Sequence, residues 1–205
     1  MNVKLYDMKM APNRRRARMF LAEKGIEIEK VDVNIMTQEA QTPEFTAKNP
    51  MQRIPMLELD DGTCISETMA ISRYFEEVQP EPPLMGIDAK DKAIVEMWNR
   101  RVELGLLQAV TMAFRHTNSA MAHLEVPQMP EWGELNRPKI ENALKMLDTR
   151  LGTSRFIAGE RFSVADITAV CTIDFAKVIG RRLGEDTPNL QRWHAEVAAR
   201  ASYKA

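Results

Sequence analysis

Apolar positions in the first eighty residues switch repeatedly between a period of two and a helical period, whereas those that follow keep the helical period. NVKLYDM (2–8) alternates around Val3, Leu5 and Asp7 and predicts a short buried strand. Pro12 suits a helix first turn, and NRRRARMFLAEKG carries Ala17, Phe20, Leu21 and Lys24 on one stripe before Gly25, a helix stop. IEIEKVDV (26–33) alternates as a second strand, and TPEFTAKNP (42–50) reads as a short helix stopped before Pro50. IPMLEL (54–59), DDG (60–62) and TCIS (63–66) have the apolar–turn–apolar pattern of a hairpin. ETMAISRYFEEV (67–78) is amphipathic, with Met69, Ile71, Tyr74, Phe75 and Val78 available to a core. The expected order is β-α-β-α-β-β-α, an α/β domain with a mixed sheet over residues 1–80.

QPEPPLMG (79–86) holds three prolines in eight residues and marks a linker, set at 81–88. No strand pattern follows it. Residues 89–116 read as one long helix interrupted by Gly105, and 131–151 as a second, in which Pro138 implies a kink or a late start. Residues 163–180 are nearly all apolar and predict a buried central helix, and 187–200, with Pro188 at its start, a closing one. The domain over 89–205 is therefore expected to be all-α.

Charge changes the picture at one place. Arg14, Arg15, Arg16 and Arg18 occupy four of five positions where a helix begins, the end at which its dipole disfavours cations. The chain as a whole carries 28 basic and 29 acidic residues, net charge −1, without the basic excess of a nucleic-acid-binding domain. The cluster is expected to form a cationic rim, with at least two of the four side chains in solvent and their stems along the surface. Cys64 and Cys171 are far apart, and His116, His123 and His194 supply no metal-ligand spacing, so neither a disulfide framework nor a metal site is expected. With no apolar run approaching membrane-spanning length and no signal-peptide core, the expectation is a cytoplasmic protein with no membrane partner.

Three short motifs carry chemistry. In NPMQRIPML (49–57), Pro55 stands where a strand should begin. It reads either as a strand-initiating proline or as a cis-proline that turns the backbone of Ile54 toward an extended peptide ligand. In SETMAI (66–71), Glu67 and Thr68 open a helix, where backbone N–H groups and a hydroxyl hold a carboxylate and Glu67 an ammonium, or where they merely cap. In GERFSVADI (159–167), Ser163 and Asp166 have the spacing of a capping box, a folding signal.

Together and in this order, NPMQRIP, the Glu67–Thr68 pair, AGERFSVAD (158–166), TPNLQRWHAEVAARAS (187–202) and RRARMFLAEKGIEIE (15–29) resemble the glutathione transferase family across essentially the whole chain. The resemblance implies a thioredoxin-like α/β N-terminal domain and an all-α C-terminal domain, a homodimer, and glutathione as co-substrate without a metal. Ile54 beside Pro55 would pair with the cysteinyl part, Glu67 and Thr68 with the γ-glutamyl ammonium and carboxylate, and Arg53, Gln52 and Gln41 with the glycine carboxylate. The second substrate, a small electrophile or a disulfide, would lie between the domains near Met10, Met112, Arg115 and His116.

A transferase must hold glutathione as thiolate, although a free thiol titrates near ~8.5. The hydroxyl or thiol that family members use for this falls on Ala11, and on Met10 in an alternative frame; neither donates. Tyr6 is read as core. Asn13 remains as a neutral amide donor at the helix mouth, against a plain helix-cap role. The chemistry expected is conjugation of the thiolate to an electrophile. The alternatives are glutathione-dependent disulfide reduction or peroxidase chemistry, and a non-catalytic binding or structural member, for which Ala11 speaks.

Overall fold

Leu5 and Asp7 face one side of strand β1 (Lys4–Asp7) and are buried, while Lys4 and Tyr6 face the other and are half-buried. The computed structural model describes residues 3–8 and 12–205, Pro12 by its backbone alone. Around β1 the N-terminal unit builds α1 (Pro12–Glu23), β2 (Glu29–Asp32), α2 (Pro43–Lys48), β3 (Met56–Glu58), β4 (Cys64–Ser66) and α3 (Thr68–Val78). The sheet order is β2-β1-β3-β4, with β2 parallel to β1 and the hairpin strands antiparallel. This is the mixed sheet expected from the apolar pattern. β2 is half the length of the alternating stretch 26–33 and largely exposed, because it is an edge strand.

The stripe Ala17, Phe20, Leu21 and Lys24 is buried. α1 then stops in a Schellman arrangement: Ile26 N–H donates to Leu21 O at 2.9 Å and Gly25 N–H to Ala22 O at 3.1 Å. Gly25 takes φ +65°, the left-handed conformation that only glycine adopts freely. Lys24 is 2 % exposed, and its ammonium meets Glu76 at 2.6 Å and the carbonyls of Gln79, Pro80 and Pro82 at 2.6 to 3.1 Å. Burying a lysine is tolerable only with such a full set of partners. This one ties α1 to the end of α3 and to the proline-rich segment.

Two expectations are corrected here. Val78 of α3 is exposed, while Thr68, Ile71, Ser72, Phe75 and Glu76 are buried. The stripe is centred on Ile71 and Phe75, and Lys24 compensates the charge of Glu76. The arginines also turn inward. Arg14 and Arg16 are 2 % and 3 % exposed, and neither Arg15 nor Arg18 is exposed. Arg14 Nη1 donates to Met8 O at 2.8 Å, Arg18 pairs with buried Asp7 at 2.7 Å, and Arg15 stacks 4.4 Å from the Tyr203 ring centroid. Burial, reinforced by Arg18 and opposed by Asp7 and Asp32, pulls the Arg14 pKa down to about 10. Specific partners on β1 and at the chain's end, invisible in the local sequence, make this cluster a packed network rather than a rim.

The second unit, Leu84–Arg200, is all-helical, and Ala201–Ala205 group with the first unit, Met1–Pro83. It contains α4 (Ala89–Arg100), a π-helical stretch over Arg101–Leu107, α5 (Gln108–Thr117), α6 (Pro130–Leu135), α7 (Arg137–Leu151), α8 (Val164–Ala176) and α9 (Pro188–Ala198). The long helix expected over 89–116 is thus interrupted by a wide turn that contains Gly105. At Pro138 the structure gives a new start rather than a kink, since proline fits the first turn of α7. α8 is buried along almost its whole length. At its start the carboxylate of Asp166 accepts from Ser163 N–H (3.0 Å), Ser163 Oγ (3.1 Å), Ile157 N–H (3.0 Å) and Trp193 Nε1 (2.8 Å). Among the described residues no helix is long and apolar enough to cross a membrane.

Candidate functional site

Pairing of Met56 with Ser66 brings the residues just before β3 alongside those just after β4. The Ile54–Pro55 bond is cis, and it precedes the ladder that begins at Met56. Ile54 is buried among Val33, Ala40, Phe45 and Met56. Its own N–H and C=O find no hydrogen-bond partner among the described residues. Unpaired main-chain groups of this kind are what a peptide-like ligand uses for main-chain recognition.

At the same end of the hairpin, Glu67 is exposed and holds φ +71°, an uncommon conformation for a residue with a side chain. It stands at the start of α3 without making a cap hydrogen bond. The first-turn N–H groups of α3 therefore keep their capacity for an incoming anion. Thr68 is buried, and its hydroxyl donates to the carbonyl of Asn13 at 3.3 Å. That contact joins the N-terminus of α1 to the N-terminus of α3. Asn13 is exposed, its Oδ1 accepts from Arg16 Nη1 at 3.2 Å, and its amide nitrogen has no partner among the described residues.

Gln52 also holds a positive φ, +54°, and its side chain donates to Thr46 Oγ1 at 3.1 Å. Arg53 is exposed, and Gln41 is exposed in a 3-10 turn, Glu39–Gln41. Three non-glycine residues have positive φ among the described residues, Gln38, Gln52 and Glu67, and two of them belong to the expected glutathione set. Left-handed backbone at such residues costs on the order of 1–3 kcal/mol and gathers at ligand sites.

The expected second-substrate residues do not converge. Met112 lines a cavity of about 830 Å³ in the helical unit, together with Leu104, Trp132 and Met146, whereas Arg115 and His116 do not line it. Arg115 is bound to Glu125 and to Leu124 O, and buried His116 accepts from Met129 N–H through Nδ1 at 3.1 Å. Met10 and Ala11 lie outside the described residues. No group of His, Cys, Asp or Glu among the described residues is arranged to hold a metal ion.

Residues 1–77 match the N-terminal domain of glutathione S-transferases and residues 128–201 their C-terminal domain. Glutathione S-transferase 2 of Saccharomyces cerevisiae is 35 % identical over 98 % of this chain and 87 % of its own. The chain belongs to the glutathione S-transferase family. A glutathione S-transferase domain-containing protein from Marinobacter aquaeolei has the same fold, with TM-score 0.93 and 40 % identity over 97 % of this chain and 98 % of that one. A glutathione S-transferase of Vibrio parahaemolyticus superposes with TM-score 0.87 at 37 % identity, over 98 % and 96 % of the two chains.

Within this transferase fold, sequence reasoning missed the polar cluster beside α2. Tyr6 packs its ring edge-on against Phe45, as a core residue would, but its hydroxyl donates to Glu58, and Lys48 donates to both at 2.9 Å. Hydrogen bonds from Lys48 and then Tyr6 hold the Glu58 carboxyl below its ordinary range, while burial and the bond to Glu58 push the Tyr6 phenol up. Burial, then the charge of Glu58, raises the Cys64 thiol, so it is not an activated nucleophile. The alternation of Lys4, Tyr6, Met56 and Glu58 onto one sheet face was the available signal.

Proposed function

We propose that this protein is a glutathione transferase in which the tripeptide lies between the starts of α1 and α3 and the open edge before β3. The observation that carries the reading is the uncapped start of α3, where Glu67 has a positive φ beside cis Ile54–Pro55 and the Thr68 hydroxyl donates to the carbonyl of Asn13. Glu67 receives the γ-glutamyl ammonium, and the α3 N–H groups with Thr68 receive its carboxylate. Ile54 pairs its main chain with the cysteinyl residue, and Arg53, Gln52 and Gln41 face the glycine carboxylate. The unengaged amide nitrogen of Asn13 donates to the sulfur and stabilises the thiolate, while the thiol proton leaves to solvent. The sulfur then bonds to the electrophilic carbon, and the leaving group departs with the bonding pair. The working form is a cytoplasmic homodimer.

Retention on immobilised glutathione, followed by assay with an aryl halide and with a mixed disulfide, tests the reading. Retention with aryl-halide turnover is expected. Turnover of the disulfide alone would replace conjugation by thiol–disulfide exchange, and failure to bind glutathione would leave a non-catalytic relative. Asn13→Ala is expected to raise the apparent pKa of the bound thiol, followed by thiolate absorbance. An unchanged titration removes Asn13 from the role.

A further inference from the structure

Four oxygens of the described residues surround the Lys24 ammonium: Glu76 Oε2 at 2.6 Å, and the carbonyls of Gln79 at 2.8 Å, Pro80 at 3.1 Å and Pro82 at 2.6 Å. An ammonium has only three hydrogens to give, so the cage holds one more acceptor than directed N–H bonds can use. A surplus of this kind is how oxygens surround a spherical cation rather than how they answer a directional donor. The Lys24 side chain is 0 % exposed and that of Glu76 7 %, so both charges are held almost entirely out of water. One carboxylate with three neutral carbonyls balances a single positive charge. The oxygens also stand well beyond the ~2.0–2.1 Å that magnesium demands.

The strap over residues 79–82 has little else to fix its path. Its two prolines carry no N–H, so it cannot build a ladder of its own, and Pro80, Glu81 and Pro82 are exposed. Gln79 anchors its start, with its N–H on Phe75 O at 2.9 Å and its Nε2 on Lys24 O. Yet three of the four strap carbonyls turn inward onto one point, while the fourth, that of Glu81, accepts from Gln79 Nε2 at 3.4 Å. Oxygens gathered in this way repel one another, and beside a buried carboxylate only a positive charge makes the arrangement favourable. We propose that Glu76 and the strap form a binding site for a monovalent cation of ammonium or potassium size, which this chain fills with its own Lys24, and that the strap folds only around a charge held there. The last cage carbonyl stands one residue before the N-terminal unit ends at Pro83, so the cation fixes the chain where it leaves that unit. The cage shares no residue with the proposed glutathione site, and neither reading depends on the other.

Lys24→Met keeps most of the apolar stem and deletes the charge. In choline chloride, whose cation is too large for the cage, this variant should melt about 10 °C below wild type, the loss expected when a buried charge is left without its partner. Hydrogen exchange at the amides of residues 79–86 should accelerate in the same buffer. Replacing choline by potassium or ammonium at equal ionic strength should recover most of both losses, by mass action at the vacated site. Wild type, with the site filled, should not distinguish the three salts. The second variant is Lys24→Ala with propylammonium, which restores the missing carbons and the ammonium together. If neither variant folds in choline, folded yield on refolding replaces the melting temperature, with the same order of salts expected. Equal values in choline, potassium and ammonium, with propylammonium also without effect, would make Lys24 a packed ion-pair partner only and overturn the inference. Strap amides as protected in Lys24→Met as in wild type would overturn it too.

Discussion

Glu67 stands where glycine would be the comfortable residue. Its φ of +71° costs on the order of 1–3 kcal/mol, and no cap hydrogen bond offsets it. A residue kept in strain while its side chain remains exposed is one whose side chain is needed for something outside the fold. Glu67→Gly should therefore leave the melting temperature unchanged or raised, the relief of strain opposing the greater freedom of glycine in the unfolded chain. The same change should raise KM for glutathione by about tenfold or more, since a charge-assisted bond to the ammonium is worth roughly 1.5–3 kcal/mol. Melting and steady-state kinetics on one preparation decide it: a marked fall in melting temperature with an unchanged KM would make Glu67 structural. Asn13, Ile54 and Thr68 could be named from sequence as candidates because they sit inside short motifs. The hydrogen bonds by which Asn49 holds Met51 N–H and Arg53 O could not be read there, because a string of letters does not display them.

Among the elements, α8 has a fully buried carboxyl in its first turn. Asp166 is fully buried, and burial pushes its pKa up to about 6, against the lowering effect of donors from Ile157, Trp193 and Ser163. The folded state therefore binds this proton more tightly than the unfolded chain, where an aspartate titrates near ~3.9. Unfolding free energy attributable to Asp166 falls as pH rises from about 4 through about 6, and is constant outside that window. Urea midpoints of wild type and Asp166→Asn, measured across this range, should differ by a pH-dependent amount that levels off above pH ~7. A difference that stays constant from pH ~4 to ~7 would refute the assignment. The strand and helix order could be read from periodicity alone, because a period of two and one of 3.6 place side chains differently. The rest could not: the buried edge of α3 depends on Lys24, fifty-two positions from Glu76, and the inward arginines depend on Asp7, Met8 and Tyr203. The π-helical turn at Arg101–Leu107 left only Gly105 as a trace.

For the molecule as a whole, the helical unit leaves an apolar surface that a monomer has little reason to keep. Leu104, Trp132 and Met146 are all exposed, and all line the cavity of about 830 Å³. Arg100, Arg101 and Lys139 line it too, with Arg100 already paired to Glu96 and Glu103 at 2.9 Å. Exposed apolar side chains mixed with charged ones are the composition of a protein–protein contact, and large exposed apolar patches on monomers are uncommon. The homodimer proposed above gives this surface its occupant, a second copy of the chain. Light scattering after size exclusion should then give about twice the 23.4 kDa chain mass. Leu104, at 60 % exposure, contributes almost nothing to the folded monomer's core, so Leu104→Glu should leave helix content intact and shift the population toward monomer. A wild-type monomer, or a Leu104→Glu dimer of unchanged affinity, would remove this face from the assembly. Because the residues proposed to bind glutathione all lie in the other unit, retention on glutathione should survive in the monomeric variant. That separates loss of assembly from loss of the site.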